Sequence, residues 1–444
     1  MSKRLLIIGG VAAGMSAAAK ARRINPQLEI TVYTQEEYIS YAGCGLPYFI
    51  GDKISDKKSL IARTIEDFAT QNIIVNTRTK VEKIRDKSKI LILKDLVDNN
   101  MYEDYYDKLI IATGARPFIP PMEGIELEGI FTLRTINDSL AIKDYLKKRK
   151  SGKATIIGGG YIGLEMAENL YDKGWKVSII EKAPHIIPNM DEDMASIVTE
   201  YLEDKGIKVY TGITVKGFSG NGVVNKVITD KEDINTDFVL LSIGVIPNSE
   251  ITKDTDIELG PRNAILVNNK METNVKDIYA AGDCATTTHL ITGEDVYIPL
   301  GTTANKQGKT AGENVAGGES FFKGVLGTGI ARVLEMEMSR TGLSENECKR
   351  LGIDYVAKQI KSRSAAHYCP DSGSAYVKLI ANKQNNRLIG AQILGYKGAA
   401  MRIGMLATAI TMKATIEDLI DMDLAYSPPF SPVWDPVLIA LNQF

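Results

Sequence analysis

The stretch RLLIIGGVAAGMSAAAKARR at residues 4–23 decides the fold, and KATIIGGGYIGLEMAENLYDKG at residues 153–174 repeats its pattern. Each copy begins with a short apolar run, Leu5–Ile8 or Ala154–Ile157, and passes through a glycine-rich turn. It then continues with small and apolar residues spaced as on a helix. A second apolar run follows each copy, at Glu29–Tyr33 and at Lys176–Ile180. The repetition predicts two strand–helix–strand units with parallel strands.

The second glycine turn has the spacing of a dinucleotide-binding site. Gly158 permits a tight turn, Gly160 lets the backbone approach a pyrophosphate, and Gly163 lets the helix pack closely on the strand. The N–H groups at the helix start suit phosphates. Glu181 closes the next strand, where a carboxylate accepts hydrogen bonds from ribose hydroxyls and repels a 2′-phosphate. We therefore expect NADH to be preferred over NADPH, with Lys182 softening the preference.

The first glycine turn departs from this pattern. Gly9 and Gly14 are present, but Val11 takes the place of the middle glycine. Thr34 stands where the acidic residue is expected at the end of the second strand, and Glu36–Glu37 follow just beyond. A nucleotide site in this half of the chain therefore needs support from elsewhere.

That support comes from the stretch Tyr279-Ala-Ala-Gly-Asp283. An apolar strand that runs into Gly-Asp places a carboxylate against the hydroxyls of a polyol. The alternative, which is compatible with the first role, is that Asp283 caps the N-terminus of a helix. Together the motifs predict an α/β protein with two Rossmann-like dinucleotide-binding domains.

Residue patterns also predict the segments between and after these units. Residues 73–93 alternate like an antiparallel meander. The strand ends at Lys108–Gly114 and Phe238–Gly244 precede Pro117 and Pro247, so we expect turns where the chain leaves each sheet. Near the C-terminus we predict a strand-rich stretch at Ala375–Leu394 and a helix at Met401–Lys413.

Composition excludes several classes of protein. The chain has 444 residues, of which 44% are apolar and 24% charged, and a net charge of −2. It lacks the basic surface of a nucleic-acid-binding protein. Four cysteines without a CxxC motif and three scattered histidines argue against a metal site or a disulfide framework, and favour a cytoplasmic protein. The apolar run Leu5–Ala19 is too short and glycine-rich for a membrane span.

The paired glycine turns, Ala112-Thr113-Gly114 and Tyr279–Asp283 together resemble the pyridine nucleotide–disulfide oxidoreductases over essentially the whole chain. The resemblance implies FAD in the first unit, NAD(P)H in the second, and a C-terminal α+β dimerisation domain in a homodimer. It places Asp283 at the flavin's ribityl chain and Thr113 and Gly114 at the flavin site. The implied domains are FAD-binding at 1–117 and 248–322, NAD(P)H-binding at 118–247, and dimerisation at 323–444.

The candidate redox residue lies in Ser40-Tyr-Ala-Gly-Cys44-Gly-Leu-Pro-Tyr48. Glutathione reductase-like members have two cysteines in a CxxxxC arrangement, whereas Cys44 has no nearby partner cysteine. It resembles the single redox cysteine of coenzyme A-disulfide reductases, NADH oxidases and NADH peroxidases. A helix start and the oxidised flavin would lower the pKa of such a thiol. We assign Cys44 and Ser40 to the catalytic site.

Three further features select among these relatives. Oxidases and peroxidases of this type usually carry a histidine in the first glycine turn, where Ala12 stands here. Leu46–Tyr48 resembles the coenzyme A-disulfide reductase pattern. Tyr368 and Tyr426 resemble the two tyrosines which that enzyme receives from the neighbouring subunit, so we expect active sites shared across the dimer. The alternative for both tyrosines is packing at the subunit interface.

Ligand contacts are expected on both nucleotide-binding helices. Lys20, Arg22 and Arg23 lie on the first helix, where the family binds the nucleotide end of coenzyme A, although solvated charges at a helix end would look the same. On the second helix, Tyr161 resembles the aromatic residue that covers the flavin, and Glu165 is expected near the nicotinamide. The three other cysteines are expected to be structural: Cys284, Cys348 and Cys369.

These expectations combine into an FAD-dependent NAD(P)H:coenzyme A-disulfide reductase whose Cys44 forms a mixed disulfide with coenzyme A. The alternatives are an NADH oxidase or peroxidase that cycles Cys44 through sulfenic acid, and an NADH-dependent persulfide or polysulfide reductase. The sequence ends at Phe444, and no appended sulfurtransferase domain is expected. A redox-sensing flavoprotein without turnover is the alternative outside enzymology. No nucleic acid or membrane is expected among the partners.

Overall fold

The computed structural model describes residues 3–444 and divides them into two compact units. The first unit comprises residues 3–118, 134–139 and 245–325. The second comprises residues 119–133, 140–244 and 326–444. The chain therefore leaves the first unit after residue 118 and rejoins it at residue 245, apart from the short segment 134–139.

A parallel five-stranded sheet forms the centre of the first unit. In spatial order its strands are β18 (Ile278–Ala280), β7 (Lys108–Ile111), β1 (Arg4–Ile8), β2 (Glu29–Tyr33) and β3 (Ile73–Asn76). Strands buried on both faces read as continuous apolar runs, and Leu5, Leu6 and Ile7 are fully buried. The first predicted strand–helix–strand unit is confirmed as β1, α1 (Ala12–Ile24) and β2.

The predicted meander over residues 73–93 is partly wrong. Ile73–Asn76 pairs with β2 in the parallel sheet. The antiparallel meander begins three residues later and consists of β4 (Thr79–Arg85), β5 (Ile90–Asp95) and β6 (Met101–Tyr105). Alternating burial is shared by an edge strand and a meander strand, so the pattern alone does not separate them.

The two proline-containing segments pair with each other. β8 (Ala115–Pro117) and β17 (Val245–Pro247) form a two-stranded antiparallel ribbon. Gly114 and Gly244, which follow the parallel strands, have φ of +68° and +111°, and the two prolines lie within the ribbon. The remaining elements of this unit are β19 (Thr287–Thr288), β20 (Asp295–Val296), α2 (Leu46–Ile50), α3 (Ile65–Ala69) and α7 (Gly301–Val315).

A second five-stranded parallel sheet lies in the second unit. In spatial order its strands are β12 (Lys208–Thr211), β11 (Lys176–Glu181), β10 (Lys153–Ile157), β16 (Phe238–Leu241) and β9 (Ile130–Phe131). α5 (Tyr161–Asp172) connects β10 to β11, which confirms the second predicted strand–helix–strand unit. The other elements here are α4 (Ile136–Lys147), whose first turn belongs to the first unit, α6 (Glu192–Asp204), and the antiparallel strands β13 (Val215–Asn221), β14 (Val223–Thr229) and β15 (Ile234–Asn235).

The C-terminal part of the second unit is built on an antiparallel sheet. Its strands in spatial order are β21 (Gly329–Val333), β22 (Met336–Gly342), β25 (Leu388–Gly395), β24 (Ser374–Asn382) and β23 (Tyr355–Arg363). The predicted strand-rich stretch corresponds to β24 and β25. The predicted helix is shorter than expected, because Ala400–Arg402 is a 3-10 turn before α9 (Ile403–Thr411). The other helices are α8 (Glu345–Leu351), α10 (Ile416–Ile420) and α11 (Pro436–Leu441).

None of the helices in residues 3–444 combines the length and the apolar character needed to cross a membrane.

Candidate functional site

The first glycine turn is shaped by two close backbone approaches. Gly9 has φ of +115°, and a Cβ there would lie 2.1 Å from the Ala112 carbonyl oxygen. A Cβ on Gly14 would lie 1.9 Å from the Gly9 carbonyl oxygen. α1 begins after Val11 with no side-chain cap and no acidic residue in its first turn. Its first N–H groups are thus available to an anion, as a flavin nucleotide's pyrophosphate requires.

Asp283 lies at the C-terminal end of β18 beside a cation. Its carboxylate oxygen Oδ2 accepts a hydrogen bond of 2.9 Å from Nη2 of Arg134. The same guanidinium nitrogen lies 3.4 Å from the position a Cβ would take on Gly114. Asp283 stands in a turn and no helix starts there, so the helix-cap alternative is wrong. The expected flavin residues Asp283 and Gly114 are therefore brought together around one arginine.

Arg134 was missed by sequence reasoning. The residue is placed by the start of α4, because Asp138 accepts hydrogen bonds from the backbone N–H groups of Arg134 and Thr135. A Thr-x-x-Asp capping pattern at Thr135–Asp138 was a visible signal for a helix start, but not for the arginine's target. The contact joins residues 149 positions apart, which no local pattern reports.

Thr113 contributes mainly to the backbone geometry of its strand end. Its hydroxyl donates a 2.6 Å hydrogen bond to the Asn248 carbonyl oxygen, and the Asn248 amide donates back to the Thr113 carbonyl at 2.9 Å. The Asn248 backbone N–H donates to the Gly114 carbonyl oxygen. Thr113 therefore anchors the returning chain at the strand end where the flavin is expected.

The missing acid at Thr34 has a candidate replacement two residues later. Glu36 is half-buried, and burial, followed by the charge of Asp138, raises the pKa of its carboxyl group. Glu37 is exposed instead and pairs with Arg78 at 3.1 Å. Of these two carboxylates, Glu36 is therefore the one that is packed against the protein.

Cys44 lies on a short exposed turn tied to the first glycine turn. The Ser40 backbone N–H donates to the Gly10 carbonyl oxygen, and the Ala62 N–H donates to the Ser40 carbonyl oxygen, both at 2.8 Å. These bonds hold Ser40 at φ of +47°. Cys44 follows in the 3-10 turn Gly43–Gly45 and is exposed. Ser40 therefore positions the cysteine segment through its backbone.

The other cysteines differ from Cys44 in exposure. Cys284 and Cys348 are fully buried, and burial raises the pKa of both thiols, that of Cys348 to about 12. Cys369 is partly buried. A reactive cysteine needs access and thiolate character, so among the four cysteines Cys44 fits a redox role by exposure.

The second glycine turn repeats the geometry of the first. Gly158 has φ of +104°, and a Cβ there would lie 2.4 Å from the Ser242 carbonyl oxygen. A Cβ on Gly163 would lie 2.1 Å from the Gly158 carbonyl oxygen. Around Gly160, by contrast, a Cβ would meet nothing within 4 Å. Gly160 precedes α5, which has no side-chain cap, so an open space lies over free helix N–H groups. These features fit a dinucleotide pyrophosphate.

Glu181 is held over this turn by two backbone hydrogen bonds. One carboxylate oxygen accepts from the Gly159 N–H at 2.9 Å and the other from the Ala183 N–H at 2.8 Å. Lys182 is exposed. The carboxylate is therefore fixed at the strand end where a ribose is expected, with remaining lone pairs for hydroxyl donors.

Tyr161 and Glu165 occupy the start of α5. Tyr161 is half-buried, its hydroxyl accepts a 3.3 Å hydrogen bond from the Asn189 side chain, and burial raises its pKa. Glu165 is partly buried, and burial, followed by the charge of Glu168, raises the pKa of its carboxyl group to about 7.

Glu168 is a second buried carboxylate that sequence reasoning missed. The residue is 1% exposed and accepts hydrogen bonds from the Leu334 N–H at 2.9 Å and from the Arg332 side chain at 3.4 Å. Its position in the middle of an apolar helix was the available signal, because a charge there needs partners from another element.

The three cations on the first helix have different surroundings. Lys20 pairs with Glu313 at 3.0 Å. Arg22 donates to two carbonyl oxygens, those of Pro26 and Asn72, each at 2.6 Å. Arg23 is exposed and, within residues 3–444, makes no ion pair. Of the three predicted coenzyme A contacts, Arg23 is therefore the one whose charge is exposed and not engaged by a carboxylate among the described residues.

Tyr368 and Tyr426 come together although 58 residues separate them in the chain. Their hydroxyls are hydrogen-bonded, which raises the pKa of Tyr368. Both rings are exposed, by 63% and 47%, and both line a cavity of about 320 Å³. The paired phenols form one O–H donor cluster at the surface of the C-terminal part.

The two glycine turns each fit a dinucleotide, and the exposed Cys44 is tied to the first of them. The C-terminal part is built on a separate sheet. This combination is typical of oxidoreductases that use two nucleotide cofactors. The sequence profile of the pyridine nucleotide-disulphide oxidoreductases matches residues 3–308, and that of their dimerisation domain matches residues 330–436. The chain belongs to this family of FAD- and NAD(P)H-dependent enzymes.

Relatives with different described activities span nearly the whole chain. The NADH oxidase of Methanocaldococcus jannaschii is 38% identical over 99% of this chain and 98% of the relative. The CoA-dependent NAD(P)H sulfur oxidoreductase of Pyrococcus furiosus is 38% identical over 98% of each. The coenzyme A disulfide reductase of Staphylococcus haemolyticus is 30% identical over 97% of this chain and 96% of the relative. Reduced Bacillus anthracis CoADR-RHD has a similar crystal structure, with a TM-score of 0.96, 37% identity, and coverage of 100% of this chain and 80% of that one.

Proposed function

We propose that this protein is an FAD-dependent NAD(P)H reductase of coenzyme A disulfide, or of a closely related small disulfide or persulfide. The observation that carries the proposal is the single exposed Cys44, tied through Ser40 to the first nucleotide turn. Relatives described as a coenzyme A disulfide reductase and as a CoA-dependent sulfur oxidoreductase support this substrate class.

The chain's own residues would hold two nucleotides. Gly9, Gly14 and the uncapped start of α1 suit the FAD pyrophosphate, and Asp283 suits its ribityl hydroxyls. Arg134, which donates to Asp283, would add a hydrogen-bond donor for the flavin. Bound FAD supplies two-electron transfer from reduced nicotinamide to sulfur.

NADH would be held at the second turn. Gly158 and Gly163 form the turn, Gly160 leaves room for the pyrophosphate, and Glu181 accepts from the ribose. Tyr161 and Glu165 lie at the start of the same helix. The family resemblance predicts that Tyr161 covers the flavin and that Glu165 contacts the nicotinamide.

Cys44 would act by thiol–disulfide exchange. Its thiolate attacks one sulfur of coenzyme A disulfide, a new S–S bond forms, and the other half leaves as a thiolate with the electron pair of the broken bond. Two electrons from NADH then reduce the mixed disulfide. The balance is NADH, H⁺ and one disulfide giving NAD⁺ and two thiols. A single cysteine suffices because bound coenzyme A takes the part of a second thiol.

The proposal includes a homodimer with the predicted three-domain division. Tyr368 and Tyr426 would complete the neighbouring subunit's site, where the hydrogen-bonded pair would have one O–H group left to donate to the departing thiolate. Arg23, with Lys20 and Arg22 behind it on the helix, would face the phosphates of coenzyme A.

The second candidate is an NADH oxidase or peroxidase, and the relative of that description from Methanocaldococcus jannaschii favours it. Ala12 argues against it, since a methyl group in the first turn offers no acid or base for oxygen chemistry. Aerobic NADH consumption without a disulfide separates the two, because a reductase needs the disulfide for turnover.

Intact-mass spectrometry tests the proposed function most directly. Protein incubated with coenzyme A disulfide should gain one coenzyme A adduct, and a reductant should remove it. The adduct should be absent from Cys44→Ser and present in Cys369→Ser. An adduct that survives in Cys44→Ser, or a mass increase of one or two oxygen atoms in place of coenzyme A, contradicts the proposal.

A further inference from the structure

Each of the two glycine turns is contacted by a residue with a left-handed backbone. In the first unit, Ser40 has φ of +47°, and its N–H donates to the Gly10 carbonyl oxygen at 2.8 Å. In the second unit, Ile187 has φ of +52°, and its N–H donates to the Gly159 carbonyl oxygen at 2.9 Å. Both glycines stand second in their turns. The same backbone contact therefore occurs in both halves of the duplication.

The residue before each left-handed position packs on the same glycine. A Cβ on Gly10 would lie 3.0 Å from Cγ2 of Ile39, and a Cβ on Gly159 would lie 2.7 Å from Cγ2 of Ile186. In both units the left-handed residue also comes six positions after the place of the expected ribose-binding acid. Spacing, packing and hydrogen bonding are therefore all repeated.

A left-handed backbone is unusual for an isoleucine. For an L residue with a Cβ this region is disfavoured by about tenfold in population. A β-branched residue there is an outlier. The Ile187 side chain is 1% exposed, so its packing holds the backbone in this conformation. Strain of this kind persists where the surrounding structure enforces it, and it is found mainly at functional sites.

The hydrogen bond from Ile187 fixes the peptide group that joins Gly159 to Gly160. Because a trans peptide is planar, its C=O and its N–H point in opposite directions. The Gly159 carbonyl oxygen points to Ile187, so the Gly160 N–H points away from it. Within residues 3–444 this N–H has no acceptor. Glu181 holds the other side of Gly159 by accepting from its N–H at 2.9 Å, so the turn presents a free donor of fixed direction.

We propose that Ile187 is a positioning residue for the pyrophosphate of the nicotinamide nucleotide. Its strained backbone holds the Gly159 carbonyl group and leaves the Gly160 N–H oriented for a phosphate oxygen. The inference rests on the NADH site of the proposed function and does not depend on the disulfide substrate. Ser40 has the corresponding place at the first turn, where the next N–H is that of Val11.

The test compares Ile187→Ala with Ile187→Gly, which remove nearly the same packing but differ in backbone preference. Alanine disfavours a positive φ, whereas glycine adopts it freely. The FAD-loaded protein is titrated in a calorimeter with ADP-ribose, which carries the pyrophosphate without the nicotinamide. Ile187→Ala should raise the Kd by about tenfold, and Ile187→Gly should stay within about twofold of wild type. In urea unfolding, Ile187→Gly should be more stable than Ile187→Ala.

Ile207 provides the matched control, because it is fully buried in the same unit and has no positive φ. There the order of stability should reverse, with Ile207→Ala more stable than Ile207→Gly, and the two should bind ADP-ribose equally.

A second variant reaches the same hydrogen bond without removing a core side chain. In Gly159→Ala the new Cβ would press on Ile186 and separate Ile187 from the carbonyl oxygen. This variant should weaken ADP-ribose binding about as much as Ile187→Ala does, and it carries the test if Ile187→Ala does not fold.

Two results would overturn the role of Ile187 alone. One is equal binding of ADP-ribose by Ile187→Ala and Ile187→Gly, and the other is wild-type binding by Gly159→Ala. A wild-type protein that does not bind ADP-ribose overturns the proposed NADH site and this inference with it.

Discussion

At the scale of single residues, the chemistry depends on which side chains are exposed and which are held by the backbone. Cys44 is exposed, whereas Cys284 is fully buried and donates to backbone carbonyl oxygens. Glu181 is fixed by two N–H groups, and Glu165 is partly buried. These differences lead to three predictions.

Cys44→Ser should leave a folded, yellow, FAD-bound protein that NADH still reduces but that no longer reduces disulfides. The reason is that the hydroxyl cannot form the mixed disulfide, while the residues expected to hold FAD lie elsewhere. The measurement is stopped-flow flavin reduction beside steady-state turnover. Cys284→Ser is the control and should have a mild effect. Normal disulfide turnover in Cys44→Ser contradicts the mechanism.

Glu181 should make NADH the better reductant than NADPH in the wild-type protein. Its carboxylate accepts from the ribose and repels a 2′-phosphate. Glu181→Gln should narrow the ratio of kcat/KM for the two nucleotides, mainly by improving NADPH. Comparing both nucleotides in one variant cancels any loosening of the turn. A wild-type preference for NADPH would show that Lys182 or another cation dominates.

Glu165 should make stability depend on pH between its unfolded pKa, about 4.5, and its folded pKa of about 7. In that window the folded state binds more protons than the unfolded state, so this contribution to stability falls as pH rises. Glu165→Gln should remove this pH-dependent loss of stability. The variant should therefore gain stability relative to wild type on going from pH 5 to pH 8. Urea unfolding at the two pH values measures it. If the difference in stability between the wild type and Glu165→Gln is the same at both pH values, the result contradicts the raised pKa of Glu165.

At the scale of elements, an ion network ties α6 to the C-terminal sheet within the second unit. Lys378 on β24 is 2% exposed and binds Asp193 at 2.7 Å, Asp191 at 3.3 Å, and Glu345. Burial alone would lower the pKa of Lys378, but these carboxylates raise it. Asp191 also accepts hydrogen bonds from Gln392 and from the first N–H groups of α8. One lysine therefore offsets part of the charge of three carboxylates, and the network joins α6, α8, β24 and β25.

Lys378→Met should destabilise the protein by about 3–5 kcal/mol, because it leaves the buried Asp191 without its cation. The midpoint of urea unfolding measures the change. Lys383→Met, at an exposed lysine just beyond β24, is the control and should stay within about 0.5 kcal/mol of wild type. If both substitutions change the stability by the same amount, the buried ion network makes no special contribution to it.

At the scale of the whole molecule, the proposed dimer predicts complementation between subunits. A Cys44→Ser chain paired with a Tyr368→Phe/Tyr426→Phe chain creates one site with both lesions and one with neither. If the two tyrosines have a large effect as general acids or in orienting the thiolate, disulfide reduction should therefore reappear at about half the wild-type level. Purified heterodimers carrying two different tags provide the measurement. No recovery would place the tyrosines in the same chain's site or outside catalysis.

The sequence by itself determined the two glycine turns and the redox candidate Cys44, which has no partner cysteine nearby in the sequence. Gly9, Gly14, Gly158 and Gly163 are required by backbone approaches within a few residues or to the adjacent strand, so their spacing reports the geometry. The strand and helix positions follow from local apolar periodicity in the same way.

Only the tertiary structure decided which side chains meet across the chain. Arg134 reaches Asp283, Arg22 is bound by two carbonyl oxygens, and Glu168 is buried against β21. Each contact joins elements that local spacing does not relate, and burial changes the free energy of a charge only once its surroundings are complete. The strand Ile73–Asn76 joined the parallel sheet for the same reason, since each residue pairs with a residue of β2 that lies 43 positions earlier in the sequence, as Ile73 does with Ile30.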